Sequence, residues 1–364
     1  MSTQKETDHA YESLPTFKDK TVLVGDMHLG GKGNDGVPAQ ARFDVLKETL
    51  TAAKNRGEPV KSIVDMGDFY DKAGGLNAGS SEQEVAGFAN RVAQERLALA
   101  KAAGIDPRNY IAVTGNHDLP TRPVIKNGKF VPKENIEKFD ADVAKKATEG
   151  LDGAESVRKK LETGETPTEA EITALLQKNP SLARKLVECD YSNADIALWK
   201  KAHRDAGIML VTVRQTKEWI GKLPNEEMKT VLKHFVVNDG PNMRRVVAES
   251  DVPKLKESGG KQRAGDVGRQ VGGDIHTLGI VQGENWQSGG PFQTILNPTL
   301  GAGTAGRNGF LLLGADQHVE LLEFEPGTTT ITHNKNIIIQ KGAQKPETPP
   351  KNQNDMPTER KNAA

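Results

Sequence analysis

The sequence predicts an α/β fold, and three observations support this class. Short apolar runs, "TVLV", "SIV" and "YIAV", alternate with longer segments that carry apolar residues at helical spacing. The order strand, helix, strand, helix, strand favours a parallel, doubly wound sheet. Polar residues follow each apolar run directly, which is typical of the carboxyl ends of parallel strands, where open α/β sheets bind ligands. Aromatic residues make up only 5% of the chain, so we expect a core of Val, Ile, Leu and Ala.

Two helices separate the three predicted strands. The segment "ARFDVLKETLTAAKNRG" repeats apolar residues at helical spacing and reaches a plausible stop at Gly57. The segment "SSEQEVAGFANRVAQERLALAKAAG" begins with Ser81 and Glu84, at the spacing of a capping box. We therefore expect one helix on either side of the second strand.

The rest of the chain divides into an insertion and a second run of strands. Residues 124–200 contain short helix patterns separated by Gly and Pro, which predicts an all-helical insertion and a possible cap. Strand patterns then resume, interrupted by a predicted short helix in "RQTKEWIGKLP" and a basic, Gly-rich loop in "VPKLKESGGKQRAGDVGRQVGG". The expected organisation is a polar leader (1–15), a main domain (16–123 and 201–340), the insertion (124–200) and a disordered tail (341–364).

Composition and charge narrow the classes of protein. Lys plus Arg and Asp plus Glu number 49 each, and this neutral balance argues against binding nucleic acid through bulk charge. The single cysteine, Cys189, forms no internal disulfide, which suits a reducing compartment. The sequence carries no pattern of a signal peptide and no apolar run of the ~20 residues that span a bilayer. We therefore expect a soluble, cytoplasmic protein without a membrane span; its oligomeric state is not indicated.

Each of the three predicted strands ends in groups that can bind a metal ion. Asp26 and His28 follow the first strand, and residues two apart in an extended segment point to the same side. Asp68, with Asp71 close behind, follows the second strand, and the tetrapeptide "GNHD" follows the third. Burying so many polar groups without partners would be costly, whereas metal ions would satisfy them.

Two downstream segments extend this set of donors. His234 lies in the apolar strand pattern "TVLKHFVVN", and "GGDIHT" repeats the spacing of the first motif with Asp274 and His276. The set contains oxygen and imidazole donors and no thiolate, which excludes a structural cysteine-type zinc site. It suits manganese, iron, zinc or magnesium in a catalytic site.

The order and spelling of these motifs closely resemble the calcineurin-like metallophosphoesterase superfamily, over about residues 21–120 and 206–324. The superfamily's two-sheet α/β sandwich with flanking helices is therefore the implied fold, here with the helical insertion. The resemblance also implies two metal sites that share one carboxylate. The implied ligands are Asp26, His28 and His276 for the first ion, Asp68 for both ions, and Asn116 and His234 for the second. Secondary marks agree, since "QTKEWIGKL" resembles the superfamily's Gln-x-x-Trp-Leu helix.

The resemblance also assigns residues around the metal ions. His117 matches the catalytic histidine, which stabilises the phosphoryl group or protonates the leaving oxygen. Asp118 and Asp71 match positions that orient ligands and the His117 ring.

One position departs from the superfamily. Asp274 stands where a second-site histidine is expected. A carboxylate there would still bind a cation and would favour manganese, magnesium or iron over zinc. The alternative is a weak or empty second site. The expected cofactor is two divalent ions, with manganese as first choice and iron, magnesium or zinc as alternatives.

Other polar residues carry weaker signals. The remaining histidines are expected to be surface or core residues, and His203 fits the surface of a helix. Several arginines in the loops beside the ligand segments are solvated or hold the phosphate of a substrate. These arginines are Arg244, Arg245, Arg263 and Arg269.

The resemblance implies hydrolysis of a phosphate ester by attack of a metal-activated water. We expect a phosphorylated substrate, either a monoester or a small diester. Three alternatives stay open: a DNA nuclease of the double-strand-break repair type, a Ser/Thr-type protein phosphatase, and a non-catalytic scaffold. The neutral charge disfavours the nuclease, and Asp118 in place of Glu disfavours the protein phosphatase.

Overall fold

A computed structural model gives the fold of most of the chain. It describes residues 14–33, 35–126, 129–131, 154–163, 165, 167–178, 189–211, 219–224, 226, 228–234, 237–238, 244–245, 268–273, 276, 278–284, 291–301, 307–316, 318–334 and 339–341. Most of the predicted leader and nearly all of the predicted tail lie outside these residues, as do Asp274 and Arg263.

Seven strands of the described chain form the first sheet, in the order β18-β17-β16-β1-β2-β3-β8. The four neighbours β1, β2, β3 and β8 run parallel to one another, as the sequence predicts. On the other side of β1, the strands β16, β17 and β18 extend the sheet by antiparallel pairing. The strands are β1 (Thr21–Val24), β2 (Ser62–Asp65), β3 (Tyr110–Ala112), β8 (Met209–Leu210), β16 (Gly309–Leu313), β17 (Val319–Phe324) and β18 (Ile331–Asn334).

Six strands of the described chain form the second sheet, in the order β19-β14-β15-β13-β10-β9. Pairing within this sheet is mixed, with β13 parallel to both neighbours, β10 and β15. The strands are β9 (Trp219–Lys222), β10 (Lys229–Lys233), β13 (Arg269–Gly272), β14 (Gly279–Glu284), β15 (Pro291–Leu296) and β19 (Ile339–Lys341). Two further strands, β11 (Val237–Asn238) and β12 (Arg244–Arg245), form a separate antiparallel pair.

The helix expected in "RQTKEWIGKLP" is wrong for Trp219–Lys222, which form the edge strand β9. This segment pairs antiparallel with β10, and Ile220 on it is exposed. Gly221 leaves the space that the Trp219 ring fills, because a Cβ there would lie 2.3 Å from Cζ2 of that ring. Tertiary pairing therefore overrides the helical spacing of the apolar residues.

The two sheets pack face to face, and helices cover the outer face of the first sheet. Leu23 and Val64 of the first sheet share a buried cluster with Leu232 and Ile295 of the second. Alternate residues of the same strands, such as Val22, face a larger cluster that includes the helices. The helices of this layer are α1 (Ala39–Asn55), α2 (Glu82–Ala103) and α5 (Asn193–Asp205). The predicted α/β sandwich is confirmed.

The ends of α2 follow the sequence prediction. Ser81 caps the first turn and forms the predicted capping box with Glu84. Gly104 ends the helix with φ of 74°, a left-handed conformation that glycine adopts without strain.

The segment 124–200 is not all-helical. Its described helices are α3 (Glu155–Thr163), α4 (Glu169–Lys178) and the first part of α5. Short strands lie at and near its base: β4 (Arg122–Pro123) pairs with β7 (Cys189–Asp190), and β5 (Ile125–Lys126) with β6 (Lys129–Phe130). Trp199 of α5 is buried in the main core, so the expected boundary at residue 200 falls inside a core helix. None of the described helices is long and apolar enough to cross a membrane.

Candidate metal centre

The candidate site lies where three parallel strands end. Asp26, Asp68 and Asn116 follow β1, β2 and β3 within two to four residues. The first two loops are bonded to each other, since the His28 N–H donates to the Asp68 carbonyl (2.9 Å) and the Leu29 N–H donates to the Phe69 carbonyl (2.9 Å). The topology thus brings the predicted donors to one rim of the sheet.

The backbone is strained at several of these donors. His28, Asp68 and His276 have φ values of 47°, 49° and 53°, in the left-handed region that favours glycine. Such conformations cluster at functional sites, where the surrounding structure holds them in place.

Two glycines allow the backbone to approach the carboxylates. A Cβ on Gly115 would lie 2.1 Å from Oδ1 of Asp68, and one on Gly273 would lie 2.4 Å from Oδ1 of Asp26. Any side chain at either position would displace a candidate ligand.

The first donor group consists of Asp26, His28 and His276. His276 Nε2 lies 3.0 Å from Asp26 Oδ2 and 3.1 Å from His28 Nε2. Burial tends to raise the pKa of Asp26, but the neighbouring imidazoles outweigh it and hold the pKa well below its usual range. Burial also lowers the pKa of His28, which favours the neutral imidazole that binds metal ions.

The second group consists of Asp68, Asn116 and His234. His234 Nδ1–H donates to the Met66 carbonyl (2.7 Å), which leaves the lone pair on Nε2. His234 Nε2 lies 2.8 Å from Asn116 Oδ1 and 3.3 Å from Asp68 Oδ2. Asp68 Oδ2 also lies 3.8 Å from His28 Nε2, so this carboxylate lies between the two groups.

These donors fit divalent cations. In each group the donor atoms of the Asp and His residues lie within 4.8 Å of one another. Lone pairs of His234 and Asn116 face each other, and a cation between them would turn this repulsion into coordination. The residues that would hold one cation are Asp26, His28, His276 and Asp68, and those that would hold another are Asp68, Asn116 and His234.

His117 lies on the open side of the centre, with 25% of its side chain exposed. The Lys72 N–H donates to its Nδ1 (3.2 Å), which places the proton of the neutral ring on Nε2. Asp71 Oδ1 lies 3.3 Å from His117 Nδ1 and 3.5 Å from His28 Nδ1. Asp71 therefore lies beside both rings, as predicted for a residue that orients them.

Asp118 lies between the second and third loops of the site. Its carboxylate is buried and accepts hydrogen bonds from the N–H groups of Phe69 (2.9 Å), Asp68 (3.1 Å) and Gly115 (2.7 Å). Burial raises the pKa of Asp118 to about 6, with Arg96 opposing that rise. Asp118 therefore joins the second and third loops, which carry the candidate ligands Asp68 and Asn116.

Of the four predicted arginines, Arg269 has a described side chain, and this side chain does not join the site. Arg269 begins β13 rather than lying in a loop, and it is only 1% exposed. Its guanidinium donates to Glu226 (2.5 Å) and Gln293 (2.9 Å), so it is not available to a substrate. Arg244 and Arg245 form β12, and Arg263 and Asp274 lie outside the described residues.

Sequence reasoning missed one residue near the centre. Tyr191, directly after β7, donates its hydroxyl to the Gly115 carbonyl, next to Asn116. Because 76 positions separate the two residues, no local pattern indicates this contact.

The buried Asp and His groups of this α/β sandwich are compatible with the binding of divalent metal ions. Residues 20–200 match the family model of the calcineurin-like phosphoesterases. The chain therefore belongs to the metallophosphoesterase superfamily. Comparison with curated proteins finds no match.

Proposed function

We propose that this protein hydrolyses a phosphate monoester or a small phosphodiester with two divalent cations, manganese being the first choice. One observation carries the proposal: two donor groups meet on either side of Asp68, and His117 lies on their exposed side. Family membership supports a metal-dependent phosphoesterase. His117 and most of the expected ligands are present, which favours catalysis over a scaffold role, although Asp274 in place of a histidine keeps the scaffold alternative open.

When bound, the cations would polarise the phosphate oxygens and lower the pKa of a water molecule that attacks phosphorus. The chain's own residues supply the remaining steps. His117 Nε2–H faces away from the Lys72 contact and would donate a hydrogen bond to a phosphoryl oxygen, stabilising the charge that develops there. The Lys72 N–H orients the His117 ring, and Asp118 fixes the loop on which that ring is carried.

The choice of a small substrate rests on charge. The chain has a formal net charge of zero, whereas binding to a polymeric phosphate backbone depends on an excess of Lys and Arg. We therefore place a small phosphate ester ahead of nucleic acid as the partner. A cytoplasmic location stays a prediction from the low cysteine content.

Hydrolysis of two chromogenic esters tests the proposal. Metal-free protein is assayed with p-nitrophenyl phosphate and bis-p-nitrophenyl phosphate before and after addition of manganese. We expect metal-dependent turnover, and His117→Ala should lower kcat by about 10²–10³-fold, the usual contribution of one hydrogen-bond donor to developing negative charge. His318→Ala is the matched control, because His318 is 63% exposed and pairs with Glu320, away from the donor groups.

The outcomes separate the alternatives. Preference for one ester distinguishes a monoesterase from a diesterase. If neither ester is cleaved with manganese, iron, magnesium or zinc, and wild type and His117→Ala behave alike, the enzymatic proposal is wrong. Nicking of a labelled oligonucleotide would instead favour the nuclease alternative.

A further inference from the structure

We propose that Tyr191 is a positioning residue that links the base of the insertion to Asn116, a ligand of the second cation. This inference rests on the proposed function, because it concerns cation binding at the same centre. It assigns a role to a residue that no sequence motif includes.

Gly115 is held on three sides. Its N–H donates to Asp118 Oδ2 (2.7 Å), and its carbonyl accepts the Tyr191 hydroxyl. Its Cα packs against the Asp68 carboxylate so closely that a Cβ would lie 2.1 Å from Oδ1. The position of this residue therefore depends on Asp118, Tyr191 and Asp68 together.

The Gly115 carbonyl belongs to the same planar peptide unit as the Asn116 nitrogen. A hydrogen bond to this carbonyl therefore restrains rotation of that plane and, with it, the direction in which the Asn116 side chain leaves the backbone. Asn116 Oδ1 lies 2.8 Å from His234 Nε2, so a small rotation would separate the two candidate ligands. Contacts that orient ligands in this way tune metal affinity.

Tyr191 is itself firmly anchored. The side chain is buried, at 5% exposure, within the main core. It directly follows β7, whose pairing with β4 closes the base of the insertion. Arg122 of β4 donates two hydrogen bonds to Asp195 of α5, at 2.8 and 3.1 Å, and so ties this base to the core. The hydroxyl thus donates from a fixed position.

The test measures manganese binding to metal-free protein by isothermal titration calorimetry and electron paramagnetic resonance. Wild type is expected to bind two ions. Tyr191→Phe removes only the hydroxyl and should weaken one of the two sites by about 10–100-fold, the range for residues that orient ligands. The coupled two-ion resonance signal should give way to a single-ion signal at low manganese.

A matched variant and a double variant identify the route. Tyr70→Phe also removes one hydroxyl hydrogen bond, but this bond is to Glu95 (2.6 Å) and not to Gly115. Both affinities should therefore stay within about twofold, below the 10-fold effect of an orienting contact. Tyr191→Phe added to Asn116→Ala should have no further effect, because Tyr191 acts through Asn116.

Each failure has its own signature. If wild type binds none of manganese, iron, magnesium and zinc, the proposed function fails. If wild type binds two ions and Tyr191→Phe binds both equally well, the role of Tyr191 is overturned. Equal weakening of both sites, or an additive effect on Asn116→Ala, would likewise overturn it, because the hydroxyl would then support the fold in general.

Discussion

Two neighbouring polar clusters are buried in this molecule, and they differ in the source of their positive charge. In the metal centre, the carboxylates of Asp26 and Asp68 face imidazoles. In the second cluster, which we call the Arg96 cluster (Asp65, Arg96, Tyr110 and His203), the guanidinium Nε–H donates to Asp65 Oδ2 at 2.7 Å. The first cluster is compatible with a bound divalent cation, whereas the second contains a guanidinium as its own cation.

Hydrogen bonds link the four residues of the Arg96 cluster in a line. His203 Nδ1–H donates to the Trp199 carbonyl (2.8 Å), so its Nε2 accepts from Arg96 Nη1 (2.6 Å). The Tyr110 hydroxyl donates to Asp65 Oδ2 (3.2 Å). The expectation that His203 lies on the surface of a helix is wrong, because its side chain is fully buried within the Arg96 cluster.

The comparison teaches that charge balance separates a functional cluster from a structural one. Both clusters contain buried carboxylates and histidines, and burial alone does not distinguish them. The two are also joined, since Asp65 Oδ1 accepts the N–H of Gly67, next to Asp68. The self-balanced cluster therefore supports the loop that carries the bridging candidate ligand.

The largest effect on stability is expected from replacing Arg96, the cation of the Arg96 cluster. Arg96→Met should lower the free energy of unfolding by about 3–5 kcal/mol, because it leaves the buried Asp65 carboxylate without its partner. Adding Asp65→Asn should restore part of the loss. Urea denaturation measures both variants. Arg91→Met is the control, since the exposed Arg91 lies over the Tyr70 and Phe88 rings and should cost under ~1 kcal/mol. A loss below that value for Arg96→Met would contradict a self-balanced cluster.

A smaller effect is expected from adding the missing cation. Manganese at about 100 times its Kd should stabilise wild type by roughly 2.7 kcal/mol through binding to the folded state. Asp68→Asn should abolish this gain, since Asp68 lies between both donor groups. Without metal, Asp68→Asn should be no less stable than wild type, whereas Asp65→Asn should be less stable. Thermal unfolding with and without manganese checks these signs, and an equal response of Asp68→Asn and wild type would refute the assignment.

Local patterns were sufficient to predict the parallel strands and most candidate ligands. Asp26, His28 and Asp68 each follow a short buried strand, and the topology of a parallel sheet brings such positions together. The capping box of α2 depends on two residues three positions apart, so the sequence predicted it equally well.

Features that depend on partners far away in the sequence could not be predicted from local patterns. The sequence predicts that Arg269 lies in a loop, whereas in the structure it pairs with Glu226, 43 positions away. His203 is buried because Arg96, 107 positions away, meets it. Trp219 and Leu223 have helical spacing, yet pairing with β10 makes Trp219–Lys222 a strand. In each case a tertiary contact overrides the local pattern.

The smallest effect concerns the pH dependence of the Arg96 cluster. Burial, followed by the charge of Arg96, lowers the pKa of His203 to about 3, whereas an unfolded histidine has a pKa of ~6.5. Below pH ~6.5 the unfolded state therefore binds a proton that the folded state excludes, so stability is lost as the pH falls from about 6.5 towards 3.

Between pH 7 and pH 5 this linkage should cost wild type about 2 kcal/mol more than His203→Gln, which cannot titrate. Urea denaturation of metal-free protein at both pH values measures the difference and keeps manganese binding out of the comparison. Equal losses in the two proteins would mean that His203 takes up a proton in the folded state, and that the Arg96 cluster is not closed against additional positive charge.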